Sequence, residues 1–279
     1  MRRVLETISA NPKPRDGRTL MKRFAEMHFD NCPAGGQGRK RNLGDVEAFL
    51  EFAVKKAGAP QRWLPPDKEF KRTLIGSSTR TSAEALTVPL KEQDLEMLLD
   101  GLASNEKHGL RLCVGLVGLF GLRPSELGEL TVDDGKLYVG QTKRNMQTLH
   151  KPKAPPRRVI AIDLPSLPNE GQRLIAQYDS GIVKFPLAIT RAIQRAKEKD
   201  EYKEIGDALR QLLQRYWLWQ AMEKRTEGLK VYSLRHGYAW RAHRVSKVPY
   251  SVTDASALMG HDPNTHLKHY GSWVNEAQL

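Results

Sequence analysis

Four residues of this chain combine into one kind of chemistry. Arg123 stands in Gly121-Leu122-Arg123-Pro124-Ser125-Glu126-Leu127, and Arg235 in Tyr232-Ser233-Leu234-Arg235-His236-Gly237. His261 follows a glycine in Leu258-Met259-Gly260-His261-Asp262-Pro263, and Tyr270 lies nine residues further on. Breaking a phosphodiester without a metal needs a nucleophile that can hold a covalent ester, cationic donors for the non-bridging oxygens, and an acid for the departing oxygen. Arginine suits the second task, because its planar fork matches two phosphate oxygens and stays charged at any working pH. A tyrosine phenol suits the first, because phenolate is also a good leaving group and the attack can reverse. Taken singly, each residue has an ordinary structural reading: a helix start, a cap neighbour, a half-buried ring. It is their joint occurrence, in order and at suitable separations, that points to a phosphate.

The elements that must position them can be read from periodicity and punctuation. Residues 1–18 are rich in Pro, Arg, Asn and Gly and read as an irregular lead-in. Leu20, Phe24 and Met27 share a helical face. Val46, Phe49, Leu50, Ala53 and Val54 mark an amphipathic helix over 43–57, closed by Gly58. Residues 32–38 read as a flexible turn. The segment 71–85 is polar, basic and Ser/Thr-rich, and reads as a linker. After it, Leu95, Leu98, Leu99 and Leu102 form one stripe, and Leu110 to Phe120 is apolar nearly all round, as a buried helix would be. Gly121 ends that helix and Pro124 suits the first turn of the next. Residues 136–142 and 158–162 read as two strands of a hairpin with a long basic tip. Helices are expected over 170–178, 188–199 and 201–224, then as short pieces over 233–244, 253–259 and 264–270. At helical spacing, Trp217, Trp219 and Trp240 read as packing residues.

The balance of 45 Lys and Arg against 32 Asp and Glu gives a net charge of +13. Such an excess favours a polyanionic partner, and nucleic acid first. No apolar run reaches the roughly eighteen residues of a membrane span, and the start of the sequence lacks a secretory pattern. The two cysteines, Cys32 and Cys113, give no disulfide framework. A cytoplasmic location, in a bacterium or encoded by a phage, is expected. His261, His266 and His269 raise a metal reading, but neither a cysteine nor a carboxylate completes a zinc pattern.

Three stretches together resemble the tyrosine recombinases, the phage integrase family. Gly121 to Leu127 is similar to that family's first arginine box. Ser233-Leu234-Arg235-His236 resembles its second, which reads His-x-Leu-Arg-His. Leu258-Met259-Gly260-His261 followed by Tyr270 resembles its Gly-His box and nucleophile, at the usual spacing. The resemblance covers roughly residues 86–279. It implies that Tyr270 attacks the scissile phosphate to give a 3′-phosphotyrosyl link, that Arg123 and Arg235 stabilise the pentacoordinate transition state, and that His261 hydrogen-bonds a non-bridging oxygen. A hairpin lysine would act as the acid: Lys143 is the choice, with Lys151 and Lys153 as rivals. Glu126 would support the site from behind. One position departs from the family: Tyr232 stands where the second box opens with histidine, and a phenol is a poor base near neutral pH.

The expected architecture is mainly α with a small antiparallel hairpin or sheet. Residues 1–70 form a helical core-binding domain, 71–85 a linker, and 86–279 the catalytic domain. The expected partners are double-stranded DNA and further copies in a tetramer on paired sites, with no membrane, cofactor or metal. The expected activity is cleavage and rejoining through a Holliday junction. A catalytically weakened DNA-binding relative and a type IB topoisomerase-like enzyme are the alternatives. Nine residues follow Tyr270, so a long tail that docks into a neighbouring protomer is not expected: either assembly uses other contacts or the tail is short.

Overall fold

The computed structural model describes residues 2–77, 88–142 and 152–274. The chain divides into two units, Met1–Leu86 and Thr87–Leu279, and no helix among the described residues is long and apolar enough to cross a membrane.

The first unit holds four helices: α1 (Arg2–Ser9), α2 (Gly17–His28), α3 (Gln37–Lys55) and α4 (Lys68–Ile75). Its core is Val4, Leu20, Met21, Phe24, Phe29, Leu43, Val46 and Leu50. Asp16 caps α2 through the Thr19 backbone, and Thr19 returns the bond to the cap. Three expectations are corrected here. The lead-in contains α1, a helix too short to show more than two buried positions in its pattern, Val4 and Thr7. Helix α3 starts six residues before position 43, inside the expected turn, so that Arg39 can donate to the Cys32 carbonyl. Finally, residues 71–75 of the presumed linker are the end of α4, capped by Asp67.

In the second unit α5 (Glu92–Ser104) and α6 (His108–Phe120) pair at the centre of the core. From Leu110 onward every residue of α6 except Arg111 is buried, as its unbroken apolar run requires. Around them lie α7 (Glu170–Asp179), α8 (Leu187–Lys199), α9 (Lys203–Gln214), α10 (Trp217–Arg225), α11 (Tyr232–Trp240), α12 (Val252–Met259) and α13 (Pro263–Tyr270). The sheet has three antiparallel strands, β1 (Leu130–Asp133), β2 (Lys136–Val139) and β3 (Arg157–Arg158), in that order.

The sheet differs from the expected hairpin in two ways. Strand β1 joins β2 through Asp134 and Gly135, both with positive φ, the tight-turn signal of an Asp-Gly pair. Strand β3 is only two residues long, pairing Tyr138↔Arg158 and Val139↔Arg157. Beyond it the backbone leaves the ladder, because the Ile160 carbonyl accepts from Tyr238 and the Ile162 amide donates to Leu119 at the end of α6.

The expected long helix over 201–224 is broken at Tyr216, whose backbone is extended. The break buries Tyr216 and Trp219 while leaving Trp217 exposed. Pro124 opens a single 3-10 turn, Pro124–Gly128, in place of a full helix. Helix α11 ends four residues early and passes into a wider turn, Arg241–Val245, closed by a bond from the Ser246 amide to the Arg241 carbonyl.

Candidate active site

Arg123, Arg235, His261 and Tyr270 meet at the ends of α6, α12 and α13 and the first turn of α11. Gly121 takes a left-handed conformation at φ 65° to stop α6, and a Cβ there would lie 2.5 Å from the Tyr238 ring. This sharp stop points the Gly121 carbonyl at Arg235, which donates to it. Gly260 does the same for α12 at φ 68°. Arg235 donates to the Met259 carbonyl at 2.6 Å, and Arg123 to the Gly260 carbonyl at 2.7 Å. The two arginines are thus fastened to the carbonyls that end two helices.

The Glu126 carboxylate sits among three guanidinium groups. It accepts from the Arg123 backbone and side chain, each at 2.7 Å, and from Arg157 at 2.9 Å; Arg235 lies 3.9 Å away. Burial pushes the carboxyl pKa up. The charges of Arg157, Arg235 and Arg123 outweigh it and hold the group below the usual range. Arg157 also donates to the Leu258 carbonyl at 3.1 Å.

Arg235 is only 1% exposed, and its terminal nitrogens face Gly121, Met259, Glu126 and His261 Nδ1, the last at 3.0 Å. Tyr270, at the end of α13, is 3% exposed. Its ring packs on His266 at 4.8 Å, His236 at 5.2 Å and Trp273 at 5.5 Å between centroids. Burial pushes its pKa up to about 12, although Arg235 works in the opposite direction. His236 and His261 are driven down to about 3, first by burial and then by Arg235. Both rings are therefore neutral at any ordinary pH.

Tyr232 opens α11 and is 40% exposed, with its ring edge-on to His236 at 5.1 Å. With Arg123 it lines a cleft of about 920 Å³ that also carries Lys203, Arg210 and Lys230. The cleft is where a phosphate backbone could approach Arg123, whose side chain keeps 22% of its surface open. A smaller recess of about 300 Å³ lies on the other side of Arg123, floored by Glu126 and Arg157.

Of the lysines, Lys143 and Lys151 lie outside the described residues. Lys153 binds Asp200 at 2.8 Å, and that bond is the main reason its pKa is raised. Its ammonium group also lies over the Tyr202 ring at 5.5 Å.

Three contributors escape a reading of the sequence. Arg157 enters through the β2–β3 register, which pattern cannot give. His236, one helical step from Arg235, all the same brings its ring to 5.2 Å from that of Tyr270 at the end of α13. His266 attracted only a metal reading, yet both its nitrogens face other imidazoles, at 2.8 and 2.7 Å. No group of three or more His, Cys, Asp or Glu among the described residues is placed to hold a metal.

No family model matches the sequence, and no curated protein matches it. Solved structures do match. A lambda integrase dimer bound to a COC′ core site overlays with a TM-score of 0.56 at 15% identity, covering 99% of this chain and 85% of that one. The XerH site-specific recombinase, in a post-cleavage complex with a palindromic difH substrate, gives 0.54 at 13%, covering 96% and 72%. Lambda integrase residues 75–356 bound to DNA give 0.53 at 18%, covering 94% and 83%. The chain has the tyrosine recombinase fold. Within that fold, Arg123 belongs to the turn after α6, Arg235 to α11, His261 to the turn after α12 and Tyr270 to α13.

Proposed function

We propose that the chain is a site-specific DNA recombinase or integrase that cuts and rejoins duplex DNA through a phosphotyrosyl intermediate. The observation that carries this reading is the convergence of Arg123, Arg235, His261 and Tyr270 at one place in a tyrosine recombinase fold. In this reading Tyr270 attacks the phosphorus and displaces the 5′-oxygen, leaving a 3′-phosphotyrosyl ester. Arg123 and Arg235 neutralise charge on the non-bridging oxygens, and Lys143 gives a proton to the leaving oxygen. A second 5′-hydroxyl then attacks the ester, so bond energy is conserved and no external energy source is used. Two further features are part of the proposal: a tetramer on paired sites, and a basic first unit, residues 1–70, that grips the DNA from its own side.

The test is covalent trapping on duplexes carrying a nick near the crossover, taken from DNA flanking the encoding gene. Wild-type protein gives a protein–DNA adduct and Tyr270→Phe gives none; an adduct from the phenylalanine protein would falsify the assignment.

A second reading is favoured by the burial of Tyr270 and Arg235 together with the phenol at position 232. In it, the chain is a DNA-binding protein of recombinase ancestry with weakened cleavage. Tight, site-dependent binding without adduct at any pH would support it.

A further inference from the structure

Behind Arg235 runs a row of three imidazoles. His261 Nδ1 lies 3.0 Å from an Arg235 terminal nitrogen, His261 Nε2 lies 2.8 Å from His266 Nδ1, and His266 Nε2 lies 2.7 Å from His243 Nε2. The rings come from three separate segments: the turn after α12, helix α13, and the wide turn after α11. His266 and His243 are wholly buried.

The direction of this row is set at one end. A guanidinium has only donors, so His261 Nδ1 must accept. A neutral imidazole with its lone pair on Nδ1 carries its proton on Nε2, and His261 therefore donates to His266 Nδ1. By the same step His266 donates from Nε2 to His243 Nε2. His243 then holds its proton on Nδ1, and the Tyr250 backbone partly offsets the effect of burial on its pKa. Neutrality follows from the surroundings. His261 faces Arg235, Arg123, His266 and Asp262; His266 faces His243, Arg235 and His269; His243 faces Arg244. Burial and the neighbouring cations outweigh the lone carboxylate, so none of the three rings takes a second proton near neutral pH.

We propose that His266 and His243 are positioning residues: by accepting the His261 Nε2 proton along this one-way row they hold the ring where its Nδ1 lone pair meets Arg235. His261 then serves as the acceptor that aims the Arg235 fork, rather than as a donor to a phosphate oxygen. A lone pair turned toward a non-bridging oxygen would be repelled, whereas a lone pair on Arg235 removes one rotational freedom from the group that must meet the phosphate. The catalytic consequence rests on the recombinase reading; the tautomers do not.

The experiment combines nitrogen NMR on histidine-labelled full-length protein with adduct formation on nicked duplex. In the wild type, His261 and His266 should be protonated on Nε2 and His243 on Nδ1 at pH 8, with His261 and His266 unchanged down to about pH 5, well below the ordinary histidine range. In His266→Phe the His261 Nε2 proton has no acceptor left, so the ring should turn off Arg235, and only then does its tautomer become free. The adduct rate at saturating DNA should then fall about 10- to 100-fold, the scale set by a misaimed group, while DNA affinity stays the same. His243→Gln, which keeps an acceptor for His266, should retain the tautomer and most of the rate, and His243→Phe should lose both. This second pair decides the matter if His266→Phe does not fold. Finding His261 protonated on Nδ1 in the wild type, or finding wild-type rates in both phenylalanine variants, would overturn the proposal. Absence of any wild-type adduct would sink the recombinase reading instead, and the tautomers would still decide the row.

Discussion

The guanidinium of Arg157 occupies the space that a side chain at Gly260 would need. A Cβ on Gly260 would lie 2.7 Å from Arg157 Cζ, and the glycine holds φ 68°. Gly260→Ala should therefore destabilise the second unit by about 1–2 kcal/mol from backbone conformation alone. Pushing Arg157 off Glu126 would add to that loss. Urea unfolding of the two proteins reads the difference: a loss confined to the backbone cost would mean that Arg157 yields freely, and an unchanged midpoint would contradict the prediction.

Glu126, itself buried, is the counter-charge for Arg123, Arg157 and Arg235. Removing one partner of a buried ionic group leaves the others unpaired, at a cost of about 3–5 kcal/mol. Glu126→Ala should show that loss in denaturant unfolding, and Glu126→Gln a smaller one because the amide oxygen still accepts. A variant as stable as the wild type would show that the three arginines find other partners.

Acid should weaken the fold from an unusually high pH. His236, His261 and His266 titrate at about 3 in the folded chain against 6.5 as the ordinary value. Between those limits the unfolded chain binds more protons, so stability rises with pH there. It is complete above about 6.5 and is lost as pH falls toward 3. Glu126 adds to the same trend below its ordinary value of 4.5, since its folded pKa is depressed. Thermal unfolding from pH 8 to pH 4 should show a steady fall beginning near 6.5. His266→Phe should make that slope shallower; a profile flat down to pH 4.5 would contradict the depressed histidines.

Tyr232 lines the cleft beside Arg123 and is open to solvent, so in the recombinase reading an imidazole there could collect the proton that Tyr270 loses on attack. Tyr232→His should speed adduct formation at neutral pH by up to about 100-fold, with a rate inflection near the ordinary histidine pKa. Initial rates on nicked duplex between pH 6 and 9 provide the measurement. No gain at any pH would show that proton removal is not the slow step.

Binding to duplex DNA should fall steeply with salt, as it does when several Lys and Arg displace counterions. Lys203, Arg210 and Lys230 line the cleft with Arg123. Replacing the three lysine and arginine side chains other than Arg123 with glutamine should lower the slope of log affinity against log salt by about three, since each phosphate contact contributes about 0.9. An unchanged slope would place the DNA elsewhere.

Much of the site could be read from the sequence because its parts sit at punctuation. Gly121 and Gly260 announce helix ends, and Arg123 and His261 follow them at once. Arg235 and Tyr270 lie in short helices whose patterns are visible. What could not be read depends on pairing between distant segments. Arg157 reaches Glu126 only because it stands opposite Val139 in the sheet. His243 meets His266 only because α11 widens into a turn that no pattern of apolar residues marks. The break between α9 and α10 was hidden for a similar reason: the stripe of Ile205, Leu209 and Leu213 runs on toward Trp219, and only burial of the Tyr216 ring forces the chain to bend. The Asp134-Gly135 turn was legible, but the hairpin first assigned to this region began after it.

In the recombinase reading the arginines of this site have two employments. Their donors fasten the ends of α6 and α12, so a descendant that abandoned DNA cleavage would still need them in order to fold. Purifying selection on Arg123 and Arg235 would then persist in silent lineages, while Tyr270, whose ring is packed but whose hydroxyl ties down no helix end, would be free to lose that hydroxyl. Across homologues, variation at Tyr270 beside constant arginines would mark the branches where the chemistry was given up.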